Sequence, residues 1–407
     1  MNINTYKDLR SRFFEKVEKD TVSFLFSGVP IRKSADSTYG FESNRNFTYL
    51  TGIEEESALL IMDARNQSAT IFIRDIDGLK EKWMGYFIQP EVVKVISGIE
   101  DVRFFSEFDA YLEEILKSDV KIGIDFDHDV ISDDFVAGPL GLIDMVEDEE
   151  RIVDIFPTLV ANRMVKHPDE VEAIKHALQA TDNAIMAALK DMKPGANEND
   201  LAARFQFEAM KQGGDLMFDT IMASGANAVV LHYVSNNAPL VDGELVLFDL
   251  GVRINRYGAD ISRTFPINGK FTDRQKMVYQ AVLDCFHAVN KAARPGVSIL
   301  DLQELAKEHL ATSVKKMGLI ERSEDILNYY YHGIGHSLGL DTHDVWSSRD
   351  VKMQAGNVIT NEPGLYIKEW GIGIRIETDL LITEDGCEDL APYIVREVED
   401  IEKVLAK

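Results

Sequence analysis

Cysteine is nearly missing from this 407-residue chain: only Cys285 and Cys387 are present, too few for a disulfide framework. Long apolar runs are missing as well. No uninterrupted stretch approaches the roughly 18 residues of a membrane-crossing helix. The opening MNINTYKDLRSRFFEKVEKD is polar and helix-like rather than a basic start followed by an apolar segment. The expectation is a cytosolic protein with no membrane partner. Basic residues are the third shortage. Lys and Arg number 43 against 69 Asp and Glu, a net charge of −26, which argues against a nucleic-acid partner, since that would call for a basic surface.

What is present is the composition of a globular protein, 45% hydrophobic and 28% charged, long enough for two or three domains. Residues 1–20 read as an amphipathic helix. The runs TVSFLF, NFTYLTG, SALLIM, ATIFIR and KIGIDF follow as strand candidates, with a helical stretch at Phe108–Leu116. The pattern predicts an α/β domain with a mixed sheet. Its segment DSTYGFESNRNFTYLTG reads as loop and edge strand. Near Arg151–Lys166 the strand-like RIVDIF gives way to Pro157, and the boundary is placed there, giving domains 1–157 and 158–407. Pro168 suits the first turn of the next helix, whose apolar stripe is Val171, Ile174, Leu178 and Ile185. Cys285 falls on the stripe Val278, Ala281, Val282, Val289 of a later helix and reads as a core thiol.

The second domain carries an internal duplication. KPGANENDLAARF and RPGVSILDLQELA align without a gap, matching Pro194 to Pro295, Gly195 to Gly296, Asp200 to Asp301 and Leu201 to Leu302. Each copy lies between two helical patterns; the helix before the second opens with Thr272 and Gln275 at capping-box spacing, and the one after it stops near Gly318. Each copy is later followed by one acidic hairpin. Two such halves related by a pseudo-twofold would bring the hairpins into one curved antiparallel sheet backed by helices.

In the first hairpin, GELVLFDLGVRINRYGADISRTFP, Asp249 and Asp260 are equidistant from a turn centred between Ile254 and Asn255. In the second, GNVITNEPGLYIKEWGIGIRIETDLLIT, Glu362 and Glu377 are equidistant from a turn centred between Glu369 and Trp370. Antiparallel pairing then sets each pair opposite, with Cβ atoms about 4.5–5.5 Å apart on one face. Like charges at about 4 Å repel by roughly 4 kcal/mol near a protein surface. Four clustered carboxylates multiply that cost, and metal would remove it.

Nine histidines divide into two groups. His128, His167, His176, His287 and His309 fall in a loop, before a proline, on polar helix faces and beside an apolar stripe, and none suggests chemistry. The other four surround the hairpins. His332 and His336 stand in YHGIGHSLGL, where glycines disfavour helix and allow close backbone approach. His232 precedes Asp249 much as His343 precedes Glu362. Two aspartates, two glutamates and an imidazole, with no thiolate, suit Mn²⁺, Co²⁺, Fe²⁺ or Zn²⁺. Four carboxylates suffice for two ions sharing a hydroxide, and the reaction class is then hydrolysis, with surplus histidines serving the leaving amine and the tetrahedral intermediate.

These residues resemble the pita-bread metallopeptidases, and most closely the aminopeptidase P (Xaa-Pro aminopeptidase) group; prolidase, methionine aminopeptidase and creatinase share the fold. FDLG, YGADISRTF, HGIGHSLGLDTHD, NEPGLYI and GIGIRIE occur in the family's order, and SADSTYGFESNRNFTYLTG is similar to the amino-terminal domain of aminopeptidase P, prolidase and creatinase. The resemblance implies an α/β chain with a creatinase/prolidase-like domain followed by a pita-bread catalytic domain. It implies Asp249, Asp260, His336, Glu362 and Glu377 as metal ligands, with Asp260 and Glu377 bridging two ions, most often Mn²⁺. It implies His232, His332 and His343 as contacts to substrate or tetrahedral intermediate, Glu362 also as a proton shuttle, Arg375 as a support for the carboxylates, and Tyr366 at the rim. Asp36 and Trp83 occupy segments comparable to those that close a neighbouring subunit's site, although Trp83, in EKWMGYF, reads on residues alone as an aromatic packed at a helix edge. The implied activity is removal of the first residue from peptides with proline second, by a homodimer or homotetramer. Prolidase is the nearest alternative, and a non-catalytic pita-bread peptide-binding module the alternative of another class. The connection of Lys368, Glu369 and Trp370 is shorter than in some longer aminopeptidases P, which leaves substrate length open.

Overall fold

The computed structural model describes residues 1–126 and 139–406; His128 lies outside them. The chain divides into two compact units, Met1–Arg163 and Met164–Lys407.

In the first unit α1 (Ile3–Lys16) is capped by the Asn2 side chain and leads into β1 (Thr21–Phe26), fully buried but for its last residue. A small hairpin of β2 (Arg32–Ser34) and β3 (Ser37–Thr38) follows, then α2 (Arg45–Thr51). The run NFTYLTG is therefore helix, not strand. Asn44 accepts hydrogen bonds from the Asn46 and Phe47 amides, and Gly52 ends the helix in the left-handed region, so local capping overrides the alternating pattern. The unit continues through β4 (Leu59–Asp63), β5 (Ser68–Ile73), α3 (Gly78–Met84), α4 (Pro90–Ser97), β6 (Asp101–Phe104), α5 (Phe108–Lys117), β7 (Lys121–Ile124), α6 (Pro139–Ile143) and β8 (Ile152–Asp154) to α7 (Phe156–Arg163). Its sheet, in the order β6-β5-β4-β1-β7-β8, is mixed: β4 pairs antiparallel with β1 and β5, and the other neighbours run parallel. Val22, Phe24, Ile61, Phe72 and Ile122 form its core with Leu112 and Ile115 of α5. The RIVDIF segment is strand only to Asp154, whose carboxylate accepts from the Phe156 amide and starts α7.

The second unit opens with α8 (Pro168–Asp191), capped by His167, and α9 (Glu198–Lys211) packs on it. Then come β9 (Asp215–Leu216), β10 (Ile221–Ser224), β11 (Leu245–Leu250), β12 (Val252–Ile254), β13 (Tyr257–Gly258) and β14 (Ile261–Pro266). The order repeats: α10 (Asp273–Ala292) packs with α11 (Ile299–Lys316), followed by β15 (Val358–Asn361), β16 (Gly364–Ile367), β17 (Ile372–Arg375), β18 (Thr378–Ile382) and β19 (Cys387–Asp389), and α12 (Val398–Leu405) closes the chain. The aligned turns behave alike. Gly195 and Gly296 have φ of 87° and 85°, and Asn197 with Asp200 and Ser298 with Asp301 form matching capping boxes. All strand pairing in this unit is antiparallel. Cys285 is fully buried in α10, its thiol pushed up to about 12 by burial.

One register differs from the sequence expectation and one agrees. In the second hairpin Asn361 pairs with Thr378 and Gly364 with Arg375, which sets Glu362 against Glu377 as expected. In the first, Asp249 pairs with Ser262, not Asp260, because the two-residue turn is Asn255–Arg256, with φ of 51° and 79°. That turn fits the primed geometry hairpins favour. The slip is two residues, so Asp260 keeps its face and becomes a diagonal neighbour of Asp249.

Candidate metal centre

Asp249 lies near the end of β11 and Asp260 between β13 and β14, where the ladder is interrupted; Glu362 and Glu377 occupy the corresponding interruption between β15·β18 and β16·β17. Register already places each pair on one face, so the four acids can converge. Together with His332, His336, His232, His343 and Arg375 they line a cavity of about 420 Å³, whose other walls include Phe218, Ile221, Leu231 and Val234.

His336 is brought in by a loop pressed on β15. Its backbone carbonyl accepts from the Thr360 amide and its amide donates to Thr360 Oγ1. At Gly335 a Cβ would stand 2.1 Å from the Thr360 carbonyl oxygen, so only glycine fits. His336 Nδ1 is 3.0 Å from the Ser337 carbonyl, to which it must donate, and in the neutral ring this leaves the Nε2 lone pair facing the acids.

Asp260, His336 and Glu377 each place a donor atom within 4.8 Å of the others. His336 Nε2 lies 3.4 Å from Asp260 Oδ2 and 3.6 Å from Glu362 Oε1. Such spacings are long for hydrogen bonds and suit donors about 2.0–2.2 Å from a common ion. The acids are also costly as they stand. Burial, then Glu362 and Asp249, hold the Glu377 carboxyl up to about 8. Burial raises Glu362 to about 7 against the pull of His336 and Arg375, and burial with Glu377 raises Asp260 well above the carboxylate range. Burial disfavours the His336 cation, but Asp260 and Glu362 overcome it and raise the ring to about 10. Oxygen-rich donors that retain protons for want of positive charge are those a divalent cation would satisfy.

Arg375 ties the two ribbons together. Its guanidinium donates to Asp249 Oδ2, to Ser262 Oγ at 2.7 Å and to the Tyr366 hydroxyl at 3.0 Å; Ser262 Oγ in turn donates to Glu377 Oε2 at 2.6 Å. Tyr366 is not at the rim. It is buried, and its hydroxyl bonds His332 Nε2 at 2.8 Å. With Nδ1 of His332 2.7 Å from the Gly333 carbonyl, the ring is fixed as the Nδ1–H tautomer, and burial with Arg375 lowers its pKa to about 3. His343 is lowered by burial and by His336, whose ring centroid is 4.3 Å away.

Asp36 sits exposed in the β2–β3 turn, and Trp83 of α3 is 91% exposed rather than packed at a helix edge. Both belong to the first unit. Of the histidines set aside, His167 caps α8, His176 and His287 are exposed, and His309 is half-buried. Sequence reading missed Ser262 and Thr360. Each lies two residues from an acid, hence on its face, which is the signal that could have found them.

The model of metallopeptidase family M24 matches residues 172–384, and that of the aminopeptidase P N-terminal domain matches residues 6–122. The Xaa-Pro aminopeptidase of Escherichia coli strain K12 is 31% identical, with 97% of this chain and 96% of that protein covered. The Xaa-Pro aminopeptidase of Haemophilus influenzae is 32% identical over 98% and 96%. The structure of E. coli aminopeptidase P in its low-pH form superposes with a TM-score of 0.91 at 29% identity, over 100% of this chain and 98% of that one. The family is one of metallopeptidases, so divalent cations belong to its chemistry. The chain belongs to metallopeptidase family M24, among the members that carry the aminopeptidase P amino-terminal domain.

Proposed function

We propose that this protein is a Xaa-Pro aminopeptidase of the cytosol, a homodimer or homotetramer that uses two Mn²⁺ ions to remove the first residue from peptides whose second residue is proline. The observation that carries the reading is the convergence of Asp249, Asp260, His336, Glu362 and Glu377 at one cavity that also holds three further histidines. These five would hold the ions, Asp260 and Glu377 between them. Bound there, the pair supplies Lewis acidity and makes water acidic enough to act as a nucleophile near neutral pH.

The chain's own residues do the rest. Arg375 holds Asp249 directly and Glu377 through Ser262, so both acids keep fixed rotamers. Glu362, which lines the cavity beside His336, accepts a proton and returns it to the leaving amine. His232 and His343, exposed to the cavity, donate to the oxygen on which negative charge develops. Phe218, Ile221, Leu231 and Val234 offer the apolar wall a pyrrolidine ring needs. Proline's tertiary amide lacks an N–H, so the pocket recognises the ring by contact.

The test is hydrolysis of Xaa-Pro-Yaa against Xaa-Pro by one preparation, as purified, chelated and resupplied with Mn²⁺. Cleavage of the tripeptide, lost on chelation and restored by Mn²⁺, is expected. Cleavage of dipeptides alone would make the protein a prolidase. No cleavage at any metal load would leave a peptide-binding module.

A further inference from the structure

We propose that Glu198 and Gln303 are positioning residues, each gripping the loop that carries an active histidine in its own half of the second unit; the functional part of this claim rests on the aminopeptidase reading above. Glu198 is the first residue of α9 and is fully buried. Its carboxylate meets five donors, all from the segment 224–238. The Ser224 amide and Oγ reach Oε1 at 2.7 Å each and Asn227 Nδ2 at 3.2 Å, while the Tyr233 hydroxyl and the Ala238 amide reach Oε2 at 2.9 Å each. Between Ser224, the last residue of β10, and Ala238 the only regular element is the short 3₁₀ turn at Gly225–Val229, yet this stretch presents His232 to the cavity. A side chain that caps an otherwise irregular loop at both ends determines where the loop's middle lies.

In the other half Gln303 of α11, also buried, bonds the loop of His332. Its Oε1 accepts from the Ile334 amide and from the Tyr330 hydroxyl at 3.5 Å, and its Nε2 donates to the His332 carbonyl at 3.3 Å. Gln303 is not the aligned partner of Glu198, which is Ile299. The two halves reach the same arrangement from different helix positions, and the residue types follow from what each loop presents. The first offers donors only, so a carboxylate serves; the second offers donors and a carbonyl, so an amide serves. Glu198→Gln would turn an amide nitrogen toward backbone N–H groups that cannot accept.

The experiment uses the full-length, Mn²⁺-loaded protein and compares wild type, Glu198→Gln, His232→Ala and the double variant on a Xaa-Pro-Yaa peptide. Metal content and hydrogen exchange of residues 224–238 are followed alongside. Expected are a fall in kcat/KM of about 10-fold to 100-fold for Glu198→Gln, unchanged metal content, and no further loss when Glu198→Gln is added to His232→Ala. Faster exchange should be confined to 224–238. Independent losses that multiply in the double variant, unchanged exchange in 224–238, or acceleration throughout the unit would overturn the proposal. If Glu198→Gln does not fold, Tyr233→Phe removes one of the five donors and must show the same non-additivity at smaller size; multiplicative losses there overturn it equally. Should wild type cleave no proline peptide, the aminopeptidase reading fails and the exchange data alone decide the positioning claim.

Discussion

The two acidic ribbons of the second unit solve one problem with different registers. The glutamates stand directly opposite each other, whereas the aspartates are diagonal. What they share is parity: an even displacement keeps both acids on the face that meets the cavity, and an odd one would have sent one to the far side. Face is therefore the constrained quantity, and direct opposition is not. Asp260, Glu362 and Glu377 lie where the ladders are interrupted while Asp249 stays paired with Ser262, and Arg375 of the second ribbon reaches across to Asp249 of the first.

The strongest way to break this comparison is to neutralise one central acid from each ribbon. Asp260→Asn and Glu377→Gln should each lower kcat by at least about 1,000-fold and reduce metal content by elemental analysis, with circular dichroism unchanged. Wild-type turnover by Asp260→Asn would remove its ribbon from the centre. Next comes the link between them. Arg375→Ala strands the buried Asp249 carboxylate and should cost the chelated protein about 3–5 kcal/mol in denaturant unfolding; a loss below about 1 kcal/mol would mean the ribbons do not depend on it.

A subtler test follows from pH. Glu362 and Glu377, at about 7 and 8, and His336, at about 10, are all raised in the metal-free fold. Groups raised on folding contribute stability that is complete below their unfolded values and lost as pH climbs through the folded ones. The chelated protein should therefore weaken steadily from about pH 5 to 10, the two glutamates acting over the lower part of that range and His336 over the upper part. Metal needs the same donors deprotonated, so Mn²⁺ uptake at pH 7 should release protons and tighten with rising pH, read by calorimetry in buffers of different ionisation heat. Uptake without proton release would contradict the assigned protonation. The smallest effect serves as a control: His176→Ala, on the exposed face of α8, should leave kcat/KM within about twofold and stability within about 0.5 kcal/mol.

Much of this was legible in the chain because it obeys periodicity. The helix stripes, the aligned Pro-Gly turns and the second ribbon's centre all follow from residue spacing. The first ribbon's centre did not, because Asn255 and Arg256 adopt left-handed conformations that Arg rarely favours. NFTYLTG was misread for a comparable reason: Asn44 and Gly52 outside it, rather than its own alternation, decide its form. Tyr366 alternates like any strand residue and gives no hint that its hydroxyl joins Arg375 to His332. Glu198 and Gln303 were invisible for a further reason. Their partners are a mixture of main-chain groups and side chains up to 40 residues away, and neither spacing nor periodicity announces such pairings.

The hydroxyl of Tyr366 and the carbonyl of Gly333 engage both nitrogens of His332, and the ring has almost no appetite for a second hydrogen above strongly acidic conditions. Such a ring can hold the Tyr366 hydroxyl in place, but it cannot store a hydrogen between turnovers. Whatever limits the enzyme on the acid side of its working range must then be sought in another residue.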